Sequence, residues 1–145
     1  MARTQLLALA EAAPESIYAW SPVPGARAFS AVLIHIAVAN FCLLHLAGVR
    51  TPTGVELYGE LSPDEPEQRL AMVRKNLAME RAIAGKPAVI EFLRRSLEAV
   101  EHALQDSSPE ALEEITSFIG MESTRRRLYL RMLVHTHEHM GQTIA

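Results

Sequence analysis

The chain has 145 residues, enough to bury the hydrophobic core of one domain, and its 49% apolar and 21% charged residues are typical of a globular protein. A net charge of −3 and an aromatic content of 6% give no reason to expect nucleic acid or an anionic membrane as a partner. The single cysteine, Cys42, excludes an internal disulfide framework and fits a reducing cytoplasm.

A short helix and a loop are predicted at the start of the chain. The apolar pattern predicts an amphipathic helix over residues 4–13, which Pro14 stops. Residues 14–27 contain three prolines and a glycine and are predicted to form a loop. We expect Tyr18 and Trp20 in this loop to be covered by the rest of the fold.

The second predicted helix spans residues 29–47, with Ser30 as a candidate cap and Gly48 just beyond its end. No residue from 28 to 49 is charged, so the stretch is long enough to span a bilayer. Four polar side chains argue against a span and favour a helix buried within a bundle: Ser30, His35, Asn40 and His45. Because the chain also lacks a recognisable secretory signal, we expect a cytoplasmic protein.

The remaining predicted elements are helical. Residues 50–66 are predicted to be loop, residues 67–84 partly helical and residues 87–104 a strong amphipathic helix. Residues 105–123 form a connection with one poorly defined segment, and a last helix begins near Thr124. No alternating run is long enough to predict a sheet. The pattern therefore predicts one all-α domain over residues 1–145, a four-helix bundle with one long connection.

The last helix carries a cluster of histidines. His135 and His139 are four residues apart and lie on one helical face, about 40° apart around the axis. His137 is about 200° from His135 and points away. Such a pair can occupy two positions around a metal ion, and further ligands must come from elsewhere in the chain. The alternative is a solvated helix end without a metal.

Three other histidines are candidates for the third ligand. His102 lies among charged residues and is expected at the surface, and His45 is near a helix end where a carbonyl or solvent can satisfy it. His35 lies in the most apolar stretch of the second helix, where an unpaired imidazole costs on the order of 1–3 kcal/mol. It is either a metal ligand or a core histidine bonded to a backbone carbonyl.

Three stretches of the sequence carry a resemblance to a known family. They are residues 27–40 around His35, residues 86–97, and residues 126–145 with the spaced histidine pair followed by Gly141, Gln142 and an aliphatic residue. These resemble, in order, the first-histidine helix, the start of the third helix and the last helix of the DinB/YfiT-like superfamily of metal-binding proteins. Residues 50–85 match this family only weakly.

The resemblance implies a four-helix bundle with a long crossover connection and a divalent metal, commonly nickel, zinc or iron. Residue by residue, the ligands fall on His35, His135 and His139. Three neutral imidazoles would leave positions open for water or substrate, as in catalytic sites. Two function classes follow: a metal-dependent hydrolase or a transferase that uses a low-molecular-weight thiol, and a non-catalytic metal-binding or stress-response protein. We also expect a homodimer formed through exposed apolar helix faces.

Four further residues near the candidate ligands have open roles. Gln142 could orient a ligand or pack at the helix end, and Arg131 could bind an anionic substrate group or be solvated. Glu138 is expected in solvent, because it lies off the ligand face and does not complete a His-Glu-x-x-His pattern. Cys42 could supply a thiolate, although a small buried apolar role is favoured.

Overall fold

The computed structural model describes residues 2–144. The first and last residues of the predicted domain, the second of which also ends the predicted last helix, lie outside the described part. The elements of that part are seven helices, a 3-10 turn at Glu15–Ile17 and one β-hairpin. Their bounds are α1 Ala2–Ala12, α2 Phe29–Leu46, α3 Pro52–Tyr58, α4 Pro66–Ala82, α5 Lys86–Gln105, α6 Pro109–Leu112, β1 Ile115–Phe118, β2 Met121–Thr124 and α7 Arg125–Ile144. The predicted all-α class is confirmed.

Helix α2 is the centre of the fold. It packs against α3, α4, α5 and α7, and Leu33, Ile34 and Ile36 are fully buried. A helix that is apolar on all sides needs such cover on all sides. By length and composition Phe29–Leu46 could cross a bilayer, but 56% of that window is buried inside the fold. This is the burial of a core helix, and no membrane span is implied.

The other long helices were predicted near their observed bounds. The predicted helix over residues 87–104 is α5, which starts one residue before Pro87, and the last helix is α7. Gly48 has a φ of +74° just beyond α2, the left-handed conformation expected after a helix end. The connection from α5 to α7 contains α6 and the hairpin, while α3 lies in the connection from α2 to α4.

Two predictions about the connections were wrong. Residues 50–66 are not all loop, because Thr51 caps α3: its hydroxyl accepts a hydrogen bond from the Gly54 amide at 3.0 Å. The expectation of no sheet also fails, since β1 and β2 pair antiparallel, with Phe118 opposite Met121. Strands of four residues are too short to show alternation in the sequence.

Two local predictions in the first third of the chain were also wrong. Ser30 does not cap α2, because the N-cap position is Ala28 and no side chain bonds there. Trp20 is 55% exposed, whereas Tyr18 is buried and donates its hydroxyl to the Ala10 carbonyl at 2.6 Å. The cover expected for both aromatic residues is therefore found for Tyr18 and not for Trp20.

Candidate metal centre

Three histidines from two helices meet on one side of the bundle. His35 comes from the middle of α2, and His135 and His139 come from successive turns of α7, which packs against α2. One ring nitrogen of each lies within 4.8 Å of the others. Nε2 of His135 and Nε2 of His139 are 3.1 Å apart. This spacing follows from helical phase, which places residues four apart on one face.

A buried carboxylate orients His35. Nδ1 of His35 lies 2.8 Å from Oε1 of Glu80 on α4, and the other carboxylate oxygen accepts from Nε of Arg27 at 2.8 Å. The Glu80 side chain is only 7% exposed. With Nδ1–H donated to the carboxylate, Nε2 of His35 is the nitrogen left for a ligand. A carboxylate behind a histidine is a common means of fixing the ring of a metal ligand.

The two histidines of α7 have different surroundings. Nδ1 of His139 lies 2.8 Å from Oε1 of Gln142, one turn further along, so this ring is also held with Nε2 turned to its neighbour. His135 is 9% exposed, and its buried Nδ1 has no hydrogen-bond partner among the described residues. Its Nε2 is therefore the ring nitrogen of His135 that faces the other histidines.

Burial favours the neutral form of His135 and of His35. Burial lowers the pKa of His135 from 6.5 to about 4, helped by the positive charges that His139 and His35 would carry. Burial also lowers the pKa of His35, against the opposing effect of its hydrogen bond to Glu80. Neutral imidazole is the form that binds a metal, so the donor set fits a divalent cation.

The whole chain matches one sequence family. A profile described as the DinB superfamily matches residues 1–143. The chain belongs to the DinB superfamily. A crystal structure of a DinB-like protein from Bacillus cereus ATCC 10987 is similar to it, with a TM-score of 0.73 and 16% sequence identity over 99% of this chain and 81% of that chain. At this identity the likeness shows a shared fold alone. Comparison with functionally curated proteins found no match.

Within this DinB-superfamily fold, the structure places the other histidines away from the cluster. His45 has Nε2 at 2.8 Å from the Leu61 carbonyl, and His102 is exposed on α5. His137 is exposed, with Nδ1 at 2.8 Å from the Leu133 carbonyl of its own helix. These placements agree with the expectations from helical phase for His137, from charged neighbours for His102 and from the nearby helix end for His45.

The remaining sequence candidates divide between the site and its surroundings. Gln142 has its Oε1 at 2.8 Å from Nδ1 of His139, which fits the first of its two open roles, that of orienting a ligand. Glu138 is exposed and accepts from Arg131 at 3.3 Å, so it does not reach the histidine cluster. Cys42 does not join the cluster, and burial raises the pKa of its thiol to about 11, which disfavours a thiolate.

Glu80 is the functional residue that the sequence interpretation missed. In residues 67–84 the apolar side chains at helical spacing are Leu70, Val73, Leu77 and Ile83, and the first three are 49%, 47% and 37% exposed. The face of α4 that turns inward instead carries Met72, Asn76 and Glu80. The spacing of four residues between them places all three on one helical face, and this was the available signal. An amide and a carboxylate on that face, however, do not suggest that the face is buried.

Proposed function

We propose that this DinB-superfamily protein binds one divalent transition metal ion, nickel, zinc or iron, through His35, His135 and His139. The observation that supports this is the meeting of three imidazole nitrogens, from α2 and α7, within 4.8 Å of one another. Two of the rings have Nδ1 fixed by an oxygen acceptor, which selects Nε2 as the donor atom in each. Such orientation is typical of histidines that bind metals.

We propose further that the site is catalytic, as a metal-dependent hydrolase or a transferase that uses a low-molecular-weight thiol. When bound by three imidazoles, a divalent metal supplies Lewis acidity to a water, a thiol or a substrate oxygen. The chain's own residues hold that ligand set: Glu80 fixes His35, and Gln142 fixes His139. Arg131, one turn before His135, supplies a positive charge for an anionic group.

We also propose that the protein acts in the cytoplasm and forms a homodimer. Sedimentation velocity would test the dimer.

The alternative is a metal-binding or stress-response protein without turnover. Its support is the placement of the carboxylates around the site. Glu80 is already engaged by His35 and Arg27, and Glu138 is exposed and lies off the ligand face of α7. Neither is available in this arrangement as a general base for a bound water or thiol.

Metal content of purified protein tests the binding site. Wild-type protein is expected to hold about one ion per chain, as the single three-histidine site requires. His139→Ala is expected to lose most of this metal, while His137→Ala, which changes an exposed histidine on the same helix, keeps it. Equal metal in wild type and His139→Ala by elemental analysis would overturn the assignment.

A thermal-shift screen with nickel, zinc or ferrous iron, with and without low-molecular-weight thiols, separates the two function classes. A thiol that stabilises only the metal-loaded wild-type protein supports the transferase. Metal-dependent ester or amide hydrolysis without a thiol requirement supports the hydrolase. Stabilisation by metal with no turnover in either assay supports the alternative.

A further inference from the structure

A cavity of about 260 Å³ lies between α2, α4, α7 and the tip of the hairpin, and of the three clustered histidines it is His135 that lines it. Its walls are mainly apolar and include Leu43, Leu46, Met72, Val73, Phe118 and Ile119. A cleft next to a ligand set, bounded by several separate elements, is a usual position for a substrate.

The charges of this cavity have one sign. Among the described residues that line it, the charged side chains are Arg69 and Arg131, and no carboxylate lines it. Arg131 is 44% exposed and bonds Glu138 at 3.3 Å, an exposed pair that contributes little to stability. Its guanidinium can therefore exchange this partner for an anion. Because Arg131 precedes His135 by one helical turn, such an anion would lie beside the histidine cluster.

The hairpin places an isoleucine at this cavity in an unfavourable backbone conformation. Ile119 and Gly120 form the two-residue turn between Phe118 and Met121, with φ values of +57° and +76°. Turns with positive φ at both positions suit a hairpin but favour asparagine, aspartate or glycine at the first. A β-branched residue is strained in this left-handed conformation, because its Cβ substituents crowd the backbone. Asparagine would make the same turn, so the turn alone does not account for Ile119, whose side chain is 49% exposed and lines the cavity.

We propose that this cavity is the substrate pocket of the proposed metal centre and takes a small molecule with an apolar body and an anionic head group. Arg131 binds the head group, and Ile119 with Phe118 closes the wall around the apolar body. As a substrate pocket it rests on the proposed function, but its binding chemistry belongs to the metal-free chain and is measured there.

Octanoate, octanol and octylammonium, each below its micellar concentration, test the charge preference on metal-free wild-type protein by titration calorimetry. Octanoate is expected to bind saturably at one site, octanol at least about tenfold more weakly and octylammonium more weakly still. Arg131→Gln is expected to lower octanoate affinity about tenfold and leave octanol unchanged. Glu138→Gln, which frees Arg131, keeps or raises octanoate affinity. Equal binding of all three probes, or no octanoate binding, overturns the proposal.

Ile119→Asn tests the wall with a residue that suits the turn. Octanoate affinity is expected to fall about fivefold, from the loss of apolar contact, while the melting temperature rises by about 2–4 °C as the strain is relieved. Ile115→Asn changes an isoleucine of the same hairpin that does not line the cavity and is 65% exposed, so it leaves octanoate affinity unchanged. Unchanged octanoate affinity in Ile119→Asn overturns the role of Ile119.

The two proposals fail in different ways. If octanoate binding depends on Arg131 but the protein takes up no metal, the pocket proposal is supported and the proposed function is contradicted. If the histidines bind metal but neither the metal-free nor the metal-loaded protein prefers octanoate, the pocket proposal is contradicted and the proposed metal binding is supported.

Discussion

At the scale of single residues, the site depends on Glu80 as much as on the histidines. Its buried carboxylate fixes the ring of His35 and is itself held by Arg27. Glu80→Gln keeps the size of the side chain but removes the charge, so the affinity for zinc or nickel is expected to fall about 10–100-fold. Competition titration against a chromogenic chelator measures this. Glu138→Gln removes a carboxylate outside the cluster and is the matched control. Affinity in Glu80→Gln equal to the control would refute the orienting role.

The neutral histidines also predict how the metal-free protein responds to acid. His135 has a pKa of about 4 in the folded chain and 6.5 when unfolded, so between these values the unfolded chain binds a proton that the folded chain does not. Stability is therefore expected to fall as the pH drops from 6.5 to 4, by at most about 3 kcal/mol from this group. His35, whose pKa is also lowered, acts in the same direction.

Urea unfolding at several pH values measures this dependence. His135→Asn is expected to flatten the curve between pH 6.5 and 4, because the titrating group is gone. His137→Asn, at an exposed position of the same helix, keeps the wild-type slope. A wild-type stability that does not change over this interval would contradict the buried, neutral state of His135.

At the scale of elements, α2 is expected to dominate stability because every long helix of the bundle packs on it. Leu33 is fully buried at its centre, so Leu33→Ala is expected to lower the free energy of unfolding by about 2–5 kcal/mol. Leu130→Ala, on a side chain that is 59% exposed on α7, is expected to stay within about 0.5 kcal/mol of wild type. Chemical denaturation compares the two, and similar losses would show that α2 is not the centre of the core.

The elements also show what the sequence could predict. Helix α2 and the histidine pair of α7 follow from local pattern, because a charge-free run and a spacing of four residues keep their meaning in any bundle. Glu80 and Ile119 do not, because their roles depend on which distant element they face. A surface glutamate and a buried one look alike in sequence, and the apolar residues of α4 that suggested a buried face are exposed.

At the scale of the whole molecule, the site ties together segments that are far apart in the chain. His35, Glu80 and His135 come from α2, α4 and α7, so a ligand held by this cluster requires all three helices to be folded. A metal that binds only the folded chain stabilises it by mass action, about 2.7 kcal/mol when free metal is 100 times the dissociation constant.

The size of this stabilisation is expected to follow the affinity changes already predicted at the residue scale. At one fixed metal concentration, the melting temperature of wild type rises by roughly 5–10 °C, using about 2–4 °C per kcal/mol for a chain of this size. Glu80→Gln, with its weaker affinity, shows a smaller rise, and His139→Ala shows almost none. His137→Ala matches wild type, because its exposed ring lies outside the cluster. Equal rises in all four proteins would mean that the metal binds at a surface site, since only binding at the cluster couples α2 to α7.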